Sequence, residues 1–590
     1  MRSTRARSRT SRAVALCCAV LAGLVALTGC VTRPNPGPDI KTPEQARRGG
    51  TVTLLDNRTV STWDPQSLSD PADATLASRL FVRTLTTYAV GAFEGGTGPQ
   101  SGAGPLVGDL SVGPGTTPDG GLTWTFLLRN GALWQDGKEV SCEDVRYGVS
   151  RSFDAKRAGG TRYAVELLDV PRHGSGPLAG QPMYAGPTDT ANQRGFDAAI
   201  VCTDRIVTFR LRQAVADFPD LLTLPEFAPY RRDIDERTDD RYTVFSDGPY
   251  ILEGLWHPGQ GGKLTRNYNW GPLVDTVRDQ NVEAFRYVES VPDAEILARL
   301  STPQGEDRFA LALRGVPTAA RASVEANAGL VRLRALAPAG TVEYLRVRAR
   351  SAALADPLVR RALALATDRA AYAGAGGGAV EPTTGLIPWG VDGRAPTNPL
   401  GAPPGGDVTG AAALLREATV SLPVSVRLAV PVGAGVEDGV AALVTTWRSA
   451  GFDVVVVPVS PAECLRLLDP KSTGDIDVVL ASTRLAWLSG EAVVPAALGL
   501  GLATTPADGA VEPDLVAAVE RARSVRDRAD REVAWSEVDE LAVGRAVVIP
   551  LGARTRLLLR GPLVQRYAVS TLSGAADLGL VAVRPLSDIP

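Results

Sequence analysis

Residues 121–153, GLTWTFLLRNGALWQDGKEVSCEDVRYGVSRSF, constrain local structure more tightly than any other stretch of the chain. Trp124, Phe126 and Leu128 fall on one face of a period-2 run, the pattern of a half-buried strand. Asn130-Gly131 and Asp136-Gly137 then supply residues that tolerate the positive φ of tight turns. A helix should follow at once. Ser141 can accept a hydrogen bond from the amide of Asp144, while Glu143 and Asp144 put negative charge beside the unpaired amides of the first turn. Val145 and Val149 form its apolar stripe. By local physics alone this is a well-capped strand, turn and helix that names no chemistry.

The wording of the stretch resembles the signature W-T-F-x-L-R-x-G-x-x-W-x-D-G-x-x-V-x-x-x-D-V-x-Y-x-x-x-R of the family 5 extracellular solute-binding proteins, the oligopeptide- and dipeptide-binding components of ABC importers. Trp124, Phe126, Leu128, Arg129, Gly131, Trp134, Asp136, Gly137, Val140, Asp144, Val145 and Tyr147 match in register. A second block, DPLVRRALALATDR at 356–369, is similar to the family's D-x-x-V-R-x-A-x-x-x-A-x-D-R. Helix physics supports it independently: Asp356 caps, Pro357 suits the first helical position, and Leu358, Ala362, Leu365 and Ala366 line one face. The loop SDGPY at 246–250 resembles the family's G-T-G-P-Y with Ser and Asp substituted, GLIPW at 385–389 its G-x-I-P segment, and VVIPL at 547–551 its last x-I-P-L strand. The resemblance implies an α/β, two-lobed periplasmic-binding-protein-like fold with an enlarged, discontinuous first lobe. On that template residues 49–285 and 545–590 form lobe 1, with an extra subdomain at about 64–200, and 286–544 form lobe 2. Short Val-rich strands at 428–431, 454–459 and 476–480, separated by helical stretches such as 439–450, give the second lobe its α/β character.

Arg2, Arg5, Arg7, Arg9 and Arg12 precede an apolar run at 13–27 that is too short to span a bilayer comfortably, as in a secretory leader. The run ends at Leu27-Thr28-Gly29-Cys30, which looks like the lipobox of a bacterial prolipoprotein. Residues 1–29 are therefore expected to be removed, Cys30 lipidated, and 30–48 to act as a Pro- and Gly-rich tether. Only five of the 62 Lys+Arg residues are Lys, which suggests a GC-rich coding sequence of the actinobacterial kind. The formal charge of −3 becomes −8 without the leader arginines and offers no case for nucleic-acid binding. Cys142, Cys202 and Cys464 then remain in an oxidising compartment, enough for one bridge and one orphan, with Cys142 and Cys202 favoured because both flank first-lobe elements. Two histidines and no Cys-x-x-Cys leave little to build a zinc site from.

No Gly-x-Ser-x-Gly, Ser-x-x-Lys, His-Glu-x-x-His or Cys–His arrangement argues for an enzyme, and the GAGGG at 374–378 follows a helix and lacks the Lys of a phosphate loop. No cofactor or metal is expected. In the resembled family the loop after the first strand reaches the cleft between lobes, which makes Arg58, Thr62 and Trp63 candidates; a Trp before Asp-Pro more often serves core or hinge packing. The resemblance adds Trp389, and, after a strand of the second lobe, Thr483, Arg484 and Trp487. Peptide-binding members place an Asp for the ligand's α-amine in this last segment, where Ala486 stands here. Arg484 suits an anionic or hydroxyl-bearing group, or a solvated surface. The reading is a monomeric, lipid-anchored receptor on the extracytoplasmic face of the cell membrane, with a peptide or similar small solute and ABC permease subunits as partners and no nucleic acid. The alternative is a non-transport envelope lipoprotein on the same scaffold. Permease and ATPase genes beside this one would favour the first.

Overall fold

The computed structural model describes residues 49–90, 104–157, 159–235, 241–348, 351–391, 394, 397–433, 435–469, 471–502 and 511–584. The expected leader, Cys30 and the tether lie outside the described residues. Among those described, no helix is long and apolar enough to cross a membrane.

The chain opens on β1 (Thr51–Leu55), buried after its first residue, and turns into α1 (Pro71–Leu80). Asp70 caps that helix by accepting from the amides of Ala72 and Asp73, and Pro71 needs no amide partner in the first turn. An excursion follows. β2 (Thr123–Leu127) leads through turns with positive φ at Gly131 and Gly137 into α2 (Cys142–Arg151), whose capping box joins Ser141 and Asp144 reciprocally. β3 (Ile200–Thr203) and β4 (Ile206–Arg210) complete an antiparallel sheet of order β2-β4-β3. Phe126 meets Phe209 edge-on at 5.9 Å, and Val145 and Val149 of α2 are fully buried in the same core. Cys142 is disulfide-bonded to Cys202, Cα to Cα 5.7 Å, tying the first turn of α2 to β3.

The chain then adds β5 (Tyr250–His257), β6 (Gly261–Arg266), β7 (Ala284–Val288) and β8 (Ala310–Ala312) to β1, in the order β8-β1-β7-β6-β5. β1 lies between two parallel neighbours, β7 and β8. The crossing into the second sheet therefore follows Ala312, since β7 and β8 both pair with β1, more than 200 residues back in the chain.

The second sheet takes β9 (Arg334–Val347), β10 (Val380–Pro382), β11 (Val424–Pro431), β12 (Phe452–Val459), β13 (Val478–Ser482) and β14 (Val548–Leu559) in the order β10-β14-β9-β13-β11-β12. The helix at the second motif block, α3 (Pro357–Leu365), is capped by Asp356. After β13 come α4 (Pro513–Ser524) and α5 (Arg528–Gly544). β9 and β14 pair antiparallel from Arg334↔Leu559 to Arg346↔Val548 through two irregularities, so the chain leaves this sheet after Leu559.

Three large cores result. Val52, Leu54, Trp63 and Phe81 pack with Val564, Tyr567, Val581 and Val583 from the far end of the chain. Val426, Leu428, Leu443 and Trp447 fill the second sheet. The third core runs without a break from Trp124, Phe126 and Phe209 of the excursion to Trp487, Leu515 and Trp535 beside α4 and α5. The excursion is thus seated on the helices that follow β13 as well as on its own sheet.

Candidate functional site

The sequence-derived candidates divide between structural work and the surface. Arg58 is exposed and pairs with Asp70 at 3.1 Å. Thr62 is buried, its hydroxyl donating to the carbonyl of Arg241 at 3.1 Å and accepting from the amide of Asp64 at 3.0 Å, which shapes the turn before α1. Trp63 meets Trp256, Phe81 and Tyr287 edge-on at 5.0, 5.3 and 6.1 Å, so its indole is a core residue of the first sheet. Trp389 is half-buried beneath the guanidinium of Arg394, 3.4 Å from the ring centroid. Thr483 is buried and accepts from the amide of Val342 at 3.0 Å, extending the β9–β13 ladder, while Arg484 is exposed. Trp487 is buried in a different core from Trp63. Trp63 and Trp487 are thus not brought together. The Asp-Pro turn sends the first indole inward, where three rings enclose it.

Trp487 leads to the site that spacing had hidden. Its indole N–H donates to Asp217 Oδ2 at 3.1 Å, and Tyr163 meets its ring edge-on at 5.4 Å. Asp217 precedes a short helical turn, Phe218–Leu221, and Asp220 lies within it; both face the start of α5, where Arg528 and Arg531 stand one turn apart. Arg531 Nε donates to Asp217 Oδ1 at 2.8 Å, and Arg528 Nη1 to Asp220 Oδ2 at 2.8 Å. Tyr88 completes the join: its hydroxyl donates to Asp220 Oδ1 at 2.7 Å and accepts from the amide of Leu488 at 2.9 Å. Each carboxylate thus has two or more donors, which is what makes charges tolerable at 0 and 1% exposure.

Two more acids lie behind this seam. Glu491 accepts from Arg523 Nε at 3.1 Å, and Glu532 Oε2 from the amide of Gly490 at 3.1 Å, while Glu532 Oε1 has no hydrogen-bond partner. Burial, reinforced by the charge of Asp217, pushes Glu491 up to about 8, Glu532 to about 7 and Asp220 to about 6. Among the described residues no group of three or more His, Cys, Asp or Glu is placed to hold a metal ion.

A cavity of about 610 Å³ opens along the seam. Tyr88, Trp124, Pro219 and Asp220 line one side; Leu488, Arg526, Arg528 and Arg531 line the other. Its size is that of a small-molecule site, and its lining is mostly apolar with a few fixed polar groups. No sequence signal could have found it, because Arg528–Asp220 and Arg531–Asp217 join residues 308 and 314 positions apart.

With this geometry in hand the chain was compared with known proteins. The family model described as bacterial extracellular solute-binding proteins, family 5 (middle), matches residues 106–500. A curated relative, the probable deoxycholate-binding periplasmic protein YgiS of Escherichia coli K12, is 26% identical over 310 residues, 51% of this chain and 53% of that protein. The chain thus spans about half the length of that relative. Among solved structures, the clavulanic acid biosynthesis oligopeptide binding protein 2 superposes with a TM-score of 0.78 at 24% identity, covering 91% of this chain and 96% of that one. The periplasmic murein tripeptide binding protein MppA in its unliganded open form gives 0.70 at 15% identity, covering 91% and 98%. The substrate-binding protein CtaP of Listeria monocytogenes gives 0.64 at 17%, covering 91% and 100%. These structural likenesses establish the two-lobed fold, and with the family match they settle the assignment: the chain belongs to the bacterial extracellular solute-binding proteins of family 5, a family of binding proteins and not of enzymes.

Proposed function

We propose that the protein binds an oligopeptide or related solute in the seam cavity and presents it to an ABC permease while held to the membrane by a lipid on Cys30. The observation that carries this reading is the cavity itself, about 610 Å³ with one wall from the excursion and the other from the helices after β13. A ligand there touches both bodies and stabilises their junction. Peptide comes first because two of the similar structures are named as oligopeptide and murein tripeptide binding proteins; deoxycholate, in the name of the curated relative, keeps other amphipathic solutes in view.

Native mass spectrometry of protein extracted from the membrane reads the lipid and the solute together. The expected result is a diacylated Cys30 and a released small molecule, whose re-addition at 100 times its dissociation constant adds about 2.7 kcal/mol of stability by linkage. Unlipidated protein would refute the anchor. No released solute, and no shift in Tm with any member of a diverse peptide library, would refute the receptor reading.

A further inference from the structure

We infer that the solute carries an acidic group seated on the guanidinium of Arg526; this rests on the reading of the seam cavity as the solute site. Three arginines line that cavity, and two are spent. Arg531 bonds Asp217 and the carbonyls of Val525 and Arg526, and Arg528 bonds Asp220 and the carbonyl of Leu488. Arg526 is exposed, and among the described residues no carboxylate stands within ion-pair distance of it. Its guanidinium reaches towards the turn before β2, where Nη2 would lie 3.4 Å from a Cβ placed on Gly120. Gly120 has a φ of +75°, and with no side chain it leaves the approach to the guanidinium open.

The negative side of the ledger is equally definite. Asp220 is the carboxylate of the cavity lining, and it is 1% exposed and already occupied by Tyr88 and Arg528. Among the described residues of its lining, the cavity therefore holds one uncompensated cation and no free carboxylate for an ammonium group. Leu106, Trp124 and Leu488 offer apolar surface for the rest of the molecule. Such a site selects an acid over its amide, because a planar guanidinium bonds a carboxylate through two N–H groups and an amide less strongly. It gives no advantage to a free amine.

The test is affinity selection from a tripeptide library prepared as four isotopically distinguished pools, with the N-terminus free or acetylated and the C-terminus acid or amide. Wild-type protein is expected to retain acids about tenfold over amides and acetylated acids at least as well as free ones. Arg526→Gln should bring the acid-to-amide ratio close to one, and Arg526→Lys should keep acids ahead. Because the side chain is exposed, both variants should melt as wild type does, which separates a binding effect from a folding one. Equal retention of acids and amides by wild type, a ratio unchanged in Arg526→Gln, or a tenfold loss on acetylation would each overturn the acid seat while leaving the cavity a solute site. Retention of no pool would overturn both.

Discussion

At the scale of one residue, Asp247 shows how a buried acid makes stability depend on pH. It stands in the 246–250 loop where the family's motif has Thr, its Oδ1 accepts from the amide of Arg83 at 2.8 Å, and its Oδ2 has no partner. Around it Arg83 and Arg278 are matched by Asp109 and Asp275, at 2.9 Å for Arg83–Asp109, 2.6 Å for Arg278–Asp109 and 3.0 Å for Arg278–Asp275. Two cations and two anions are neutral without a third acid. Burial accordingly pushes Asp247 up to about 7, against the pull of Arg83. Between pH about 4 and about 7 the folded protein keeps a proton that the unfolded chain has released, so this group costs stability as pH rises through that window. Asp247→Asn should raise Tm by a few degrees at pH 8 and leave it nearly unchanged at pH 4.5; calorimetry showing equal effects at both would contradict the assignment. The substitution was visible in the sequence, but its cost was not, because the two arginines and two aspartates that surround it come from three separate segments. Trp63 teaches the same limit: its place after β1 was legible, and the direction of its ring was set by Phe81, Trp256 and Tyr287.

At the scale of elements, what could be read was what neighbours in sequence decide. Ser141 and Asp144 close the capping box, and Asp356 caps α3. Strand partners were another matter. β8 pairs with β1 across more than 250 residues and β9 with β14 across about 200, and no local pattern carries that information. The Cys142–Cys202 bridge spans both regimes, since it fastens a helix start to a strand 60 residues later. In the chain-entropy model a loop of that length is worth up to about 4 kcal/mol. Reduction, or the double change Cys142→Ala and Cys202→Ala, should lower the urea midpoint of the excursion ahead of the second sheet; coincident, unshifted transitions by tryptophan fluorescence would show that the bridge constrains nothing. Cys464 should stay silent to thiol reagents until unfolding, because it is buried and burial pushes its thiol up.

At the scale of the molecule, the acids raised by burial act together. Asp73, Glu226, Asp247 and Glu532 are pushed up to about 7, Asp220 and Asp539 to about 6, and Glu491 to about 8. All favour the protonated folded state, so stability should decline from pH 5.5 to pH 8.5, whereas groups held below the usual carboxylate range, such as Asp136, lose their contribution only in stronger acid. Calorimetric scans across that range should show Tm falling, and the pair Glu491→Gln with Glu532→Gln should flatten the slope; a Tm that rises with pH would refute the protonation pattern. A last consequence comes from the way Val52 and Leu54 share their core with Val564, Tyr567, Val581 and Val583. Ala576 donates its amide to the carbonyl of Leu313, and Asp279 to that of Gly579, so the first sheet is sealed by a segment more than 250 residues further along. A nascent chain of an extracellular protein emerges amino end first, and here its earliest strand must wait, its apolar face uncovered, for more than 500 residues of synthesis. Until those later residues are made, the first sheet cannot close its core.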